Sequence, residues 1–313
     1  MKKVAEFPET VKSLVALAKE AVAKQDFDQA MRYYQRTLQL DPPFDVVQDY
    51  LQLLLQVKDL DEARSLLADF GGLFIANGRL IYYWQALLQV DDYLGFDQSL
   101  DWLKRQDYRL DQSEQAQWTE LQQQMMLVQF TSEKLAKLTA DLLLATTTED
   151  GNWHQALQAL KLLTPVAYLQ VVEPSLVSAN LNIAARVTIL NEISQFSQVP
   201  ELKIWWRGEL RSVVANELVP LQSVELFQEL IQSLEQYAQS HKIDQAQQQF
   251  VFSNITTYVW LTYPFCQTEL TPIDIWREFL FSGQIPGNTS FEQRDQIQFW
   301  QEEEQKMLKQ LNS

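Results

Sequence analysis

The side chains that most often bind metals or act as nucleophiles are rare in this sequence, which contains two histidines and one cysteine. A zinc site needs Cys and His ligands at short, regular spacings, whereas His154, His241 and Cys266 lie far apart. A catalytic thiol needs a neighbouring base or positive field, and the segment YPFCQ around Cys266 supplies neither. We therefore predict an inert, partly buried thiol, no metal, no cofactor and no catalytic residue, so that the protein is not an enzyme.

Adjacent carboxylates could share a proton in acid–base catalysis. The sequence contains such groups at 91–92, 149–150 and 302–304. Each falls at a predicted helix end or on a polar helix face. We interpret them as solvated charge rather than as a catalytic pair.

The chain is strongly acidic, with a formal net charge of -16 and a pI of about 4.6. Nucleic acids and anionic lipids are bound through Lys and Arg that neutralise phosphate, so we expect neither as a partner. No stretch approaches the roughly 20 apolar residues that cross a bilayer. Glu6 and Glu9 stand where a signal peptide needs an apolar run. Together with the single cysteine, these features indicate a cytoplasmic protein.

Residues 11–42 contain the clearest pattern in the chain. Two segments of helical periodicity surround a turn at 26–28, the small Ala30 opens the second segment, Tyr34 follows one turn later, and Pro42 closes the unit. This arrangement resembles one tetratricopeptide repeat, a helix-turn-helix unit of 34 residues. The resemblance implies an all-α fold in which antiparallel helix pairs stack into a right-handed solenoid.

Later segments repeat the pattern less clearly. Ala63 stands thirty-three residues after Ala30, in a second unit that we predict to end at Gly71 and Gly72, because a double glycine is typical of a helix end. In the third unit we place the turn at 95–97, with Ser99 in the position of Ala30. The predicted array forms a domain over residues 1–165, with repeats near 11–43, 44–72, 78–106 and 138–165 and an extra helix at 111–129.

Residues 166–313 lose the repeat spacing and are predicted as a non-repeat helical region. Its first helix is predicted to start at Pro174, since proline is favoured at the first helical position. Further helices are predicted at 222–240, 244–261 and 272–281, with a polar capping helix at 290–311.

One segment of this region, LKIWWRGELRSVV at 202–214, favours strands over a helix. Gly208 and the β-branched residues predict a hairpin with a three-residue turn at 207–209. That turn would place Trp206 on one face and would set Trp205 opposite Arg211. A continuous helix through Gly208 is the alternative.

The order of a repeat array followed by non-repeat helices resembles tetratricopeptide proteins of low-GC Gram-positive bacteria, and the Gln-rich composition resembles that of lactobacilli. This resemblance does not imply any enzymatic activity. In the repeat family, however, the first helix of each pair lines a concave binding face. The predicted register puts these residues on that face: Lys19, Gln48, Gln52, Trp84, Leu88 and Asp141.

These residues predict a scaffold or adaptor that binds a protein or an extended, neutral or weakly basic peptide. Trp84 would be the anchor, with Gln48 and Gln52 as hydrogen-bonding groups. The alternative is a peptide-responsive regulator that acts through protein contacts rather than DNA. The sequence leaves the partner and the oligomeric state open.

Overall fold

The structure is a computed structural model that describes residues 10–147, 152–214 and 217–311. In these residues the protein is predominantly helical with one small antiparallel pair of strands, as predicted. The chain divides into two compact units. The first contains the described residues up to Gln129 together with Leu162–Thr164, and the second contains Phe130–Lys161 and the described residues from Pro165 onward.

The first unit is built from helices that follow one another in space as they do in sequence. Their bounds are α1 (Val11–Ala23), α2 (Phe27–Leu38), α3 (Phe44–Val57), α4 (Leu60–Ala76), α5 (Leu80–Gln89), α6 (Tyr93–Arg105) and α7 (Gln112–Met126). Each helix from α1 to α4 packs against the next, and α5 also contacts α6 and α7. The predicted extra helix at 111–129 is therefore present as α7.

The same turn connects the two helices of each of the first three pairs. The residue before the cap adopts a left-handed conformation, with φ of 61° at Gln25, 62° at Lys58 and 58° at Asp91. The next residue is an aspartate that accepts a hydrogen bond of 2.9 to 3.3 Å from the backbone N–H three residues later, at Asp26, Asp59 and Asp92. Such a bond satisfies a free N–H of the helix start. The three aspartates stand thirty-three residues apart, so this part of the structure has one constant period.

This period corrects the third predicted repeat. The predicted turn at 95–97 is wrong, because these residues lie inside α6, which Asp92 caps. Phe96, and not Ser99, therefore occupies the position of Ala30 and Ala63. The prediction fails because the segment GFD at 95–97 resembles the segment DFD at 26–28, of which only Asp26 precedes its helix, and because the carboxylates at 91–92 are interpreted from the sequence as a charge run.

The predicted helix end at Gly71 and Gly72 is also wrong, because α4 continues to Ala76. A Cβ atom on Gly71 would lie 2.8 Å from the hydroxyl oxygen of Tyr83 on α5, whereas one on Gly72 would have no neighbour within 4 Å. Gly71 therefore allows the Tyr83 ring to lie directly against α4. Its role is packing within the helix rather than termination.

The second unit combines further helices with the strand pair. The bounds are α8 (Ser132–Thr147), α9 (Trp153–Leu160), α10 (Pro165–Leu176), α11 (Ile183–Ile193), β1 (Leu202–Trp206), β2 (Glu209–Val213), α12 (Glu225–His241), α13 (Gln245–Thr262), α14 (Cys266–Glu269), α15 (Ile273–Ser282) and α16 (Phe291–Leu311), with a 3-10 turn at Leu221–Ser223. α8 packs against α9 and α10, and α13 contacts α11, α12, α15 and α16. The predicted repeat at 138–165 lies on α8 and α9, and part of its predicted turn, Gly151, is outside the described residues.

The predicted helix start at Pro174 is wrong. α10 begins at Pro165 and passes through Pro174 near its end. The next helix begins after Asn182, whose side-chain oxygen accepts hydrogen bonds from the N–H groups of Ala184 and Ala185 at 2.7 and 3.3 Å. A proline is tolerated at the first position because its missing N–H would have no partner there, and Pro165 meets that condition.

β1 and β2 form the predicted hairpin, so the helix alternative is excluded. The predicted three-residue turn is wrong, because the turn consists of Arg207 and Gly208 alone, both with positive φ (48° and 93°). Two positive φ angles are typical of the two-residue turns that match the twist of paired strands.

The shorter turn shifts the pairing by one residue and thereby moves every β2 side chain to the other face. Trp205 pairs with Leu210, and Arg211 pairs with Ile204. Arg211 is therefore not opposite Trp205. Its guanidinium carbon lies 3.8 Å from the centre of the Phe265 ring.

Candidate functional site

One exposed residue recurs in each of the first three helix pairs of the first unit. Lys19 on α1, Gln52 on α3 and Gln85 on α5 are exposed and stand thirty-three residues apart, the period of the capping aspartates. Equal spacing within equivalent helices places these side chains at equivalent positions of their helices. We call the three residues the polar row.

Side-chain contacts join the polar row from one helix to the next. The ammonium group of Lys19 lies 2.9 Å from a carboxylate oxygen of Asp49 on α3. Burial raises the pKa of Tyr82 on α5, and a hydrogen bond with Gln52 opposes this rise. The first helices of the three pairs, α1, α3 and α5, therefore present neighbouring polar groups along one connected surface.

The other predicted site residues differ in their accessibility. Gln48 is half-buried beside this surface, and Leu88 is half-buried against the core of the first unit. Asp141 is exposed but lies on α8, in the second unit.

Trp84, the predicted anchor, lies in the core of the first unit with none of its surface exposed. Its indole N–H donates a hydrogen bond of 2.9 Å to Ser99, and its ring contacts those of Phe96 and Trp118. The register error of the third repeat explains the misplacement. With Phe96 set equivalent to Ala63, the predicted position moves by three residues, from Trp84 and Leu88 to Ile81 and Gln85. The signal that would have identified Gln85 is its spacing from Gln52.

A buried carboxylate organises part of the second unit. Glu269 on α14 is 4% exposed. It accepts hydrogen bonds from Trp206 at 3.1 Å, Arg207 at 3.1 Å, Gln296 at 2.9 Å and Trp300 at 3.0 Å. Oε1 accepts the bond from Trp206 and Oε2 accepts the other three, so both carboxylate oxygens have donors within the protein. We therefore assign Glu269 a structural role, in which it joins the hairpin, α14 and α16.

The single cysteine of the chain lies in a buried position. Cys266 is 1% exposed, its thiol donates to the Val259 carbonyl at 3.2 Å, and burial raises its pKa to about 11. A protonated, buried thiol is a poor nucleophile. No group of three or more His, Cys, Asp or Glu side chains among residues 10–147, 152–214 and 217–311 is arranged to hold a metal ion.

No family model, no curated protein and no solved structure matches this chain. In the part of the chain that the structure describes, no helix has both the length and the apolar character needed to span a bilayer.

Proposed function

We propose that the first unit is a tetratricopeptide-like array that binds an extended polypeptide along the surface of α1, α3 and α5, and that the protein is a non-enzymatic scaffold or adaptor. The observation that carries this proposal is the polar row, in which Lys19, Gln52 and Gln85 repeat with the period of the turns. The shared turn geometry supports equivalent placement of the three helices.

The chemistry of the polar row favours an extended chain as the ligand. Amide side chains such as Gln52 and Gln85 can each donate and accept hydrogen bonds, which suits the alternating N–H and C=O groups of a peptide backbone. Lys19 is partly neutralised by Asp49, so the row has little net charge. The charge of -16 on the whole chain disfavours acidic polypeptides. The proposed ligand is therefore a neutral or weakly basic peptide segment.

Site-specific photo-crosslinking in the native cell tests this proposal. A photoreactive residue is placed at Gln52 or Gln85, and as a control at the exposed Asp69 on α4. We expect the same cross-linked polypeptide from both row positions and none from Asp69. Cross-links of equal yield from all three positions, or none from the row, would contradict the proposal.

A double substitution provides a second test with a matched control. Gln52→Arg with Gln85→Arg adds bulk and positive charge at two exposed positions, so the protein should stay folded while the captured polypeptide is lost. Gln123→Arg with Gln124→Arg makes the same chemical change on the exposed part of α7. Retention of the partner by the row variant and by this control alike would place binding elsewhere.

A further inference from the structure

The second unit contains a cavity of about 250 Å³ between the hairpin turn, the start of α11 and the middle of α16. Aromatic rings form much of its wall, with Trp205 and Trp206 on the hairpin and Phe299 and Trp300 on α16. Apolar and aromatic walls with a few placed polar groups are typical of small-molecule sites.

Arg186 on α11 lines this cavity and is 8% exposed. Its guanidinium carbon lies 4.5 Å from the centre of the Trp206 ring, and one terminal nitrogen donates to the Leu261 carbonyl at 3.4 Å. Among the described residues, its Nε has no hydrogen-bond partner. A buried cation without a carboxylate partner is costly, so this arginine has unused capacity to bind an anion.

The other charges of the cavity have partners of their own. Arg207 donates to Glu269 at 3.1 Å. Glu303 lies 2.7 Å from the ammonium group of Lys306, and its charge acts on Arg186 without an ion pair between them in the described structure. Burial lowers the pKa of Arg186 to about 10, which leaves it charged at neutral pH. The cavity therefore has one positive charge without a directly bonded acid.

We propose that this cavity binds a small aromatic monocarboxylate, with the carboxylate on Arg186 and the ring among the tryptophans. One guanidinium without a directly bonded acid matches one carboxylate, which can accept a charge-assisted hydrogen bond from the guanidinium group that lines the cavity. The aromatic walls match a flat apolar body. The volume equals that of roughly eight water molecules, which suits one ring with a short acid group.

The walls are held in place before any ligand arrives. Trp206 and Trp300 both donate to Glu269, and their ring centres lie 5.4 Å apart. Groups that are already ordered lose little conformational freedom on binding. This site is separate from the polar row, and its ligand need not be related to the proposed peptide.

Calorimetry with the full chain tests the proposal using benzoate and phenylacetate as probes, with benzamide and phenylacetamide as neutral counterparts. We expect both acids to bind about ten- to hundredfold more tightly than the amides, the range expected for a hydrogen-bonded charge. Equal affinity for acids and amides, or no binding of either acid, would overturn the proposal.

Three variants locate the site. Arg186→Met should weaken benzoate binding about ten- to hundredfold and leave the thermal midpoint unchanged or raised, because it removes a buried unpaired charge. Arg211→Met, at a hairpin arginine that stacks on Phe265 and does not line the cavity, should bind benzoate as the wild type does. Ala179→Trp, at an exposed position on the cavity wall, should block binding.

The outcomes separate a binding role from a purely structural role of Arg186. Wild-type affinity in Arg186→Met, or benzoate binding that survives Ala179→Trp, would overturn the proposal. A lowered midpoint with unchanged affinity would identify Arg186 as structural only. If Arg186→Met fails to fold, the amide comparison and Ala179→Trp decide the question without it.

Discussion

Replacement of Glu269 by alanine is the most direct test of how the second unit is held together. The substitution removes the acceptor of four hydrogen bonds at once. Two of the donors are the indole N–H groups of Trp206 and Trp300, residues that are 2% and 1% exposed. Arg207, with 28% of its side chain exposed, can be rehydrated and contributes less.

The expected loss follows from these two classes of donor. Each of the two buried indole donors left without a partner costs about 1–3 kcal/mol, whereas Arg207 is exposed enough to be rehydrated and adds less. The removal of a buried charge offsets part of the sum. We therefore expect Glu269→Ala to lower the free energy of unfolding of the second unit by about 2–5 kcal/mol. Glu269→Gln keeps the shape and one acceptor oxygen, and should cost about 1–3 kcal/mol.

Urea unfolding followed by indole emission and by far-UV circular dichroism measures these losses. Because the chain has two units, linear extrapolation applies to the transition of the second unit only where both probes report the same midpoint. Glu201→Ala, at an exposed glutamate just before β1, is the matched control and should leave that midpoint unchanged. A loss below about 1 kcal/mol for Glu269→Ala, or equal midpoints for Glu269→Gln and the wild type, would refute the assigned role.

Three further predictions concern single sites. Ala30→Leu should lower the free energy of unfolding by about 1–3 kcal/mol through overpacking, because Ala30 is fully buried between helices; an unchanged thermal midpoint would show that there is free space there. Gly72→Ala should raise the free energy of unfolding by about 0.5–1 kcal/mol, because alanine has the higher helix propensity. Gly71→Ala should lower it, because the new methyl group would clash with the Tyr83 side chain. Calorimetric midpoints of the two variants that move in the same direction would contradict this packing. Cys266 should resist iodoacetamide at neutral pH and react in urea, as judged by mass spectrometry. Because folding raises the pKa of its thiol from 9.0 to about 11, the stability from the bound proton is complete below pH 9 and is lost as the pH rises through about 11.

The parts of the fold that follow local rules could be predicted from the sequence. The first two helix pairs have capping aspartates and small residues at a constant spacing, and the structure shows that both Ala30 and Ala63 are fully buried. The hairpin was also predictable, since glycine and β-branched residues disfavour a helix at that point.

Features that depend on a single backbone angle were less predictable. The hairpin register depends on Arg207, which adopts a left-handed conformation that non-glycine residues rarely take. The predicted turn is one residue longer than the observed turn, and this difference alone assigns each β2 side chain to the wrong face of the hairpin. The predicted placement of Trp84 depends in the same way on one turn, because the turn between α5 and α6 lies at 91–92 and not at 95–97.

Contacts between distant residues leave almost no local signal. Glu269 sits in a helix of four residues, and its partners lie 63 residues before it and 31 after it. Arg186 offers one hint, because it is the only charge in the apolar segment IAARVTIL. A lone arginine among apolar helix residues is either buried or paired, but its neighbours cannot be read from the segment itself.

Glu269, which accepts hydrogen bonds from both Trp206 and Trp300, also sets an order of events during synthesis. Trp206 leaves the ribosome 63 residues before Glu269, and Trp300 follows 31 residues later. At a translation rate of roughly 5–20 residues per second, the hairpin exists for on the order of ten seconds before its last partner is made. Until Glu269 is made, the nascent chain presents an indole whose N–H lacks the acceptor that it has in the folded protein. The second unit can therefore complete its contacts around Glu269 only after α16 has been made.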